Sequence, residues 1–190
     1  MSIDSATTEI TIPLPAGTWT IDAAHTLVEF AVRHMTVARV TGRFGAVNGE
    51  VVVPADEPLA AVVHADIDVA TVSSGHPKRD ELIRSVDFLD ADNFPVMTFS
   101  SELAEPATNG HWNVPGTLTV KGVSNPVTLD TVFGGVISHR GATRAGFSAW
   151  TEINRKDFGV SWSANLDSGG AIVSDNVKIT LEVELVLAEG

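Results

Sequence analysis

Histidine is the residue type in this chain best suited to metal or haem chemistry, and six are present. Their spacing assembles no site. His25 and His34 are nine positions apart, so on one regular strand they point to opposite faces and joint ligation needs a bulge. His64 shares a polar face with Asp66 and Asp68, His76 precedes a predicted helix, and His111 and His139 lie near turns. Neither His-x-x-x-His nor His-x-Glu occurs, the patterns that bring two donors to one metal. A lone axial haem histidine needs no fixed partner, and nothing singles one out. Neither a metal nor a cofactor is expected. Asp66 and Asp68 share a proton only if buried together, and their strand face reads as outward. Ser73-Ser74 and Ser100-Ser101 lack a Gly-x-Ser-x-Gly elbow and a placed base, so capping and turn roles suit them better. Asp167-Ser-Gly-Gly170 could nest a phosphate but reads first as a hairpin turn. The absence of cysteine removes thiolate nucleophiles, disulfides and iron–sulfur clusters. Arg79-Asp80 falls at a helix start, where Asp80 suits the positive end of the dipole. Arg79 then either pairs with a carboxylate or leans toward a phosphate. No residue set makes a catalytic centre, and an enzyme is not expected.

The elements that must position these residues are strands. Apolar and polar residues alternate with period 2 through 26–33, 61–69, 96–103, 111–121, 126–133 and 177–187, and less regularly through Glu50–Val53 and Arg144–Ile153. Turn chemistry links them at Pro54–Pro58, Thr108-Asn-Gly110, Lys121–Pro126 and Asp167–Gly170. One segment, 76–90, has helical spacing, with Leu82, Val86 and Leu89 on the inner face and Ser73 or Ser74 as cap. Residues 35–41 read as a single turn before Gly42. Residues 1–16 form a Ser/Thr-rich tail, and 17–190 a single domain, as the length implies. About eight alternating strands joined by short links imply an all-β fold: a closed antiparallel eight-stranded barrel with one short helix covering an end. Such a barrel is either filled by side chains or holds one ligand, and alternation leaves both open.

The net charge is −12, from 12 Lys and Arg against 24 Asp and Glu. Nucleic acid is not an expected partner, since phosphate binding needs clustered bases, and an anionic bilayer should repel so acidic a surface. No apolar run reaches the ~18 residues of a membrane-spanning helix, so no stable insertion is expected. The start has neither a basic n-region nor an apolar h-region, so a cytoplasmic location is expected.

The order of particular residues adds a family. Trp19, Asp22, His25-Thr26, Phe30 and His34 are followed by Gly42, Phe44 and Gly49. Then come Thr71, Ser74-Gly75, Arg79-Asp80, Leu82, Phe88-Leu89-Asp90, Pro95 and Phe99-Ser100-Ser101. Gly116-Thr-Leu-Thr, Gly122-Val and Pro126-Val127 follow, with Arg155-Lys-Asp-Phe158-Gly159 ahead of the last strand. From about Gly17 to Val186 the chain resembles the YceI family of polyisoprenoid-binding, lipocalin-like barrels. Thr26 stands where that family has Ser in its His-Ser pair.

The resemblance implies a tunnel-like apolar cavity that binds a long isoprenoid or acyl lipid, with a polar head near the mouth. It also implies a possible homodimer and no shared catalytic centre. Combined with the inward parity, it nominates Val28, Phe30, Val32, Phe44, Val63, Ile67, Met97, Phe99, Leu118, Leu129, Phe133, Phe147, Phe158 and Leu181 as wall residues. His34, Arg79 and Arg155 are candidate head-group contacts. The expected function is carriage or sequestration of a polyisoprenoid, quinone or fatty amide, with affinity set by the tail. Two alternatives stay open: an enzyme acting on such a lipid through His34, Asp22 or Arg155, and a ligand-free barrel serving as an interaction protein.

Overall fold

A computed structural model describes residues 14–164 and 172–188, so the turn expected at Asp167–Gly170 and most of the expected tail at 1–16 lie outside the described residues. The strands are β1 (Gly17–Ile21), β2 (Leu27–His34), β3 (Ala38–Phe44), β4 (Val47–Val53), β5 (Val62–Asp68), β6 (Val96–Ser101), β7 (Glu105–Pro106), β8 (His111–Val120), β9 (Val123–His139), β10 (Ala142–Asn154) and β11 (Asn176–Leu187). One α-helix, α1 (Pro77–Arg84), lies between β5 and β6. All strand pairings are antiparallel, and they close on themselves. The closure depends on β11. Its first half pairs with β2, from Lys178 opposite Ala31 to Glu182 opposite Leu27. Its last residues pair with β1, with Leu187 opposite Trp19. β1 and β2 thus act as one strand broken at 22–26. β3 and β4 act as a second, broken at Gly45-Ala46, because β3 pairs with β2 and β4 with β1. β5, β6, β8, β9 and β10 complete an eight-position ring, while two-residue β7 adds to the edge of β8.

Both breaks are fixed by side chains that replace lost ladder bonds. At the first, the Asp22 carboxylate accepts from the Ala24 amide at 3.0 Å, and the Thr26 hydroxyl accepts from the Glu184 amide at 3.2 Å. At the second, the Thr71 hydroxyl accepts from the amides of Gly45 and Ala46 at 3.1 and 3.4 Å. Unpaired backbone groups at a bend are costly when shielded from water, so the hydroxyls of Thr26 and Thr71 have a structural use.

Three local expectations are corrected. Residues 35–41 are a tight turn followed by β3, in keeping with the β-branched Val40 and Thr41 in that strand. α1 ends at Arg84, because Ser85 is extended and its hydroxyl donates to the Leu82 carbonyl at 2.7 Å. Past that point Val86 turns to solvent, 66% exposed, and the inner positions are taken by Ile83 within the helix and by Phe88 and Leu89 beyond it. Ser74 does not cap the helix. Its amide and hydroxyl instead donate to the buried Asp80 carboxylate at 2.7 and 2.6 Å, and chiefly that hydroxyl bond holds the carboxyl below the ordinary range.

The interior is packed at the end away from α1 and partly covered at the other. At the end away from α1, Trp19 is 0% exposed and packs with Leu14, Val53, Ala61, Ala145 and Leu185. Its indole Nε1 donates to the Pro15 carbonyl at 3.0 Å, so the ring carries no orphaned donor. Leu14 and Pro15, in the entry segment, therefore belong to the packing of this end. At the other end, Phe158, Val160, Val69 and Val72 are buried beneath α1. No helix among the described residues is long and apolar enough to cross a membrane.

Candidate ligand-binding cavity

Between the two ends lies a cavity of about 630 Å³. Its wall is built from the inward residues of every strand position, which is what strict alternation around a closed ring delivers. Val28, Phe30, Val32, Phe44, Val63, Ile67, Met97, Phe99, Leu118, Leu129, Phe147, Phe158 and Leu181 all line it. Phe133 does not. It points inward as its parity requires, but its ring packs on Phe147 at 5.2 Å, in the cluster around Trp19. Alternation gives the face of a residue and is silent on its height along the axis.

Glycines keep the lumen open. Gly42 lies directly opposite Phe30 on the neighbouring strand, and a Cβ there would overlap the Phe30 ring. Gly116 serves Phe99 in the same way, its would-be Cβ falling 2.6 Å from that ring. The missing side chains let both rings lie flat on the wall.

The mouth is at the α1 end, where His34, Arg79 and Leu82 line the cavity and keep part of their surface in water. Arg79 has no carboxylate within ion-pair distance among the described residues. Arg155 reaches the wall but is otherwise committed. It is 5% exposed. Its guanidinium donates to the carbonyls of Val160, Trp162 and Ser174 at 2.7, 2.8 and 3.0 Å. It also donates to Val173 O at 3.5 Å and to Asp175 Oδ1 at 3.2 Å. That fork uses all five donors. Arg155 ties the strand-flanking segments at Val160–Trp162 and Val173–Asp175 together across the mouth. The remaining polar wall groups are Thr26, Glu29, Thr131 and Thr151.

A second polar group lies on the outer face at the β1/β2 break. Asp22, His25 and Glu184 bring their donor atoms within 4.8 Å of one another. Arg144 occupies the same oxygens, bonding Asp22 at 2.7 Å and Glu184, and its fixed positive charge opposes a cation there. First the Arg144 bond and then the His25 bond hold the Asp22 carboxyl down to about 2. A lowered carboxylate stabilises the fold above its ordinary value of 3.8, and this contribution disappears as pH falls through about 2. Arg144→Met should therefore lower stability most at neutral pH. The gap to wild type should narrow as pH drops toward 2, as urea unfolding at a series of pH values will register.

Comparison with known proteins gives a consistent picture. The model of the YceI-like domain matches residues 19–185. A UPF0312 protein of Shewanella baltica is 36% identical over 164 residues, which is 86% of this chain and 83% of that protein. Among solved structures, Burkholderia cenocepacia BcnA superposes with a TM-score of 0.72 at 26% identity, over 86% of this chain and 98% of the other. A polyisoprenoid-binding domain from Saccharophagus degradans, implicated in plant cell wall breakdown, superposes with a TM-score of 0.66 at 17% identity, over 90% and 98%. At that identity the likeness is one of fold.

Proposed function

The chain belongs to the family of YceI-like domains, and from that premise we propose that its barrel takes up one long-chain apolar lipid, tail first, for carriage or sequestration. The observation that carries the reading is the cavity itself. A lumen of about 630 Å³ with an almost wholly apolar wall is much larger than the voids of a packed interior. Its far end is closed by Leu14, Val53, Ala61 and Leu185, which pack on Trp19, so in this reading the chain enters from the α1 end and the head stays near His34 and Arg79. Ten buried methylenes contribute on the order of 8 kcal/mol at roughly 0.8 kcal/mol each. That gain favours tail recognition over head recognition. Arg79 adds little, since a partly exposed ion pair contributes roughly 0–1 kcal/mol. The polyisoprenoid-binding domain of Saccharophagus degradans, which shares the fold, makes an isoprenoid tail the first candidate.

Transport fits better than catalysis. The ionisable wall groups are Glu29, His34, Arg79 and Arg155, and the last already has five protein acceptors. None forms a nucleophile–base pair of the kind a hydrolase needs. The test is organic extraction and native mass spectrometry of purified protein. A co-purifying lipid of long apolar chain, released intact, supports carriage. A protein that stays ligand-free after exposure to prenyl alcohols contradicts it, and turnover of the extracted lipid would move the assignment to an enzyme. Gly42→Ala sharpens the test. The added methyl should force the Phe30 ring into the lumen and shorten the longest tail accepted, read by competition between prenyl alcohols.

A further inference from the structure

The acidity of this chain is unevenly distributed. Twenty consecutive residues, Phe30 to Gly49, contain three arginines, a histidine and no Asp or Glu, in a chain with 24 acidic residues. This stretch runs from within β2 through β3 into the start of β4, and the tip of the β2–β3 hairpin stands at the mouth beside His34.

Two features of the tip oppose stability. Arg33 and Arg39 are directly opposite each other across the hairpin, and like charges in that register repel. Both are exposed, and neither has an ion-pair partner among the described residues. The turn itself places Met35 and Thr36 at φ of 51° and 61°, with the Val37 amide donating to the His34 carbonyl at 3.2 Å. Two left-handed residues in succession suit Asn-Gly, and a β-branched Thr there is strained. A hairpin serving only the fold has no use for Met-Thr at those positions. Nor has it a use for Val37, which is 81% exposed beside Met35 at 39%. At the same end α1 carries Lys78 and Arg79 against Asp80 and Glu81, with Leu82 exposed, and the segment after it exposes Val86 beside Asp87 and Asp92, so this end is mixed in charge and the basic surface is the hairpin tip. The turns and short β7 at the opposite end carry Asp56, Glu57, Glu102 and Glu105 against Arg140.

We propose that the Met35–Val37 tip, flanked by Arg33 and Arg39, docks the cavity mouth onto an anionic lipid bilayer, so that a lipid passes between bilayer and barrel without crossing water. The apolar tip enters the interface while the arginines meet anionic headgroups, which is the pairing that peripheral attachment requires. The acidic far end is repelled by the same surface, which orients the barrel mouth-down. The net charge of −12 argues against adsorption in general, whereas its distribution favours adsorption by one end. The purpose of the docking rests on the lipid-carrier reading, but its chemistry does not.

The experiment is co-sedimentation of the full chain with vesicles of phosphatidylcholine alone or with about one-third phosphatidylglycerol. Binding is expected only to the anionic vesicles, and high salt should weaken it. The double variant Arg33→Gln/Arg39→Gln should bind about 25-fold more weakly, at roughly fivefold for each basic residue at the surface. Val37→Asp should bind more weakly as well. Arg39→Glu should raise Tm by relieving the like-charge pair while still lowering vesicle binding, a divergence that a purely structural role would not produce. All three variants should keep wild-type affinity for geranylgeraniol in solution, since none of these side chains lines the cavity. Absence of binding to anionic vesicles overturns the proposal, as it would if the tip served a protein partner. Equal binding by the double variant overturns it too. Vesicle binding without geranylgeraniol uptake supports the docking and overturns the carrier reading.

Discussion

Trp19→Ala is expected to remove about 3–5 kcal/mol of stability, the usual cost of emptying a large buried aromatic site. Trp19 is the one fully buried aromatic at the far end, ringed by Leu14, Val53, Ala61 and Leu185, and these aliphatic neighbours cannot collapse to fill a space of that size. Urea unfolding will measure the loss. The same variant should lengthen the lumen, because the ring backs Leu14, Val53, Ala61 and Leu185, which close its far end. Protein that remains folded should therefore accept longer prenyl chains than wild type. A variant that loses stability but keeps the same length limit would place the floor elsewhere.

Arg155→Met is expected to be comparably damaging, on the order of 3–5 kcal/mol, as when one partner of a buried charged network is deleted. The methionine fills much of the volume but leaves the carbonyls of Val160, Trp162 and Ser174 without the donor they now share. Amide exchange at Val160 and Gly159, whose amides bond back to Arg155 and Lys156, should accelerate first. Arg155→Lys should rescue little, because an ammonium cannot reproduce the five-donor fork. A variant as stable as wild type but weakened toward lipid phosphates would instead make Arg155 a head-group contact.

The sequence carries the strand faces well and the axial positions poorly. Val28, Phe30 and Val32 on β2, or Ile179, Leu181 and Val183 on β11, face the lumen because period-2 alternation is a local property of the backbone. Phe133 obeys the same rule yet misses the cavity, since at its height along the axis its ring packs on Phe147 in the cluster around Trp19. Val86 fails for a different reason: the helical spacing continues beyond the point where the Ser85 hydroxyl ends the helix. Arg155 and Asp22 are visible as motif positions, but their roles depend on partners 20 and 122 residues distant, Asp175 and Arg144. Gly42 and Gly116 are visible as glycines, and only the opposing Phe30 and Phe99 rings reveal why no side chain fits. The β2–β3 hairpin was the least legible element, because its turn holds Met35 and Thr36 where the usual turn residues would announce it.

The central claim is that an apolar tail occupying the lumen dominates binding. If each carbon needs about the ~30 Å³ that a water molecule claims in the liquid, a cavity of about 630 Å³ holds on the order of 20 carbons, roughly four isoprene units. The measurement is calorimetric titration with prenyl alcohols of increasing length and with the matching phosphates. Affinity should rise with each isoprene unit, level off near that length, and differ little between alcohol and phosphate. Affinity that ignores chain length while the phosphates bind far more tightly would contradict the account and place recognition at the head group.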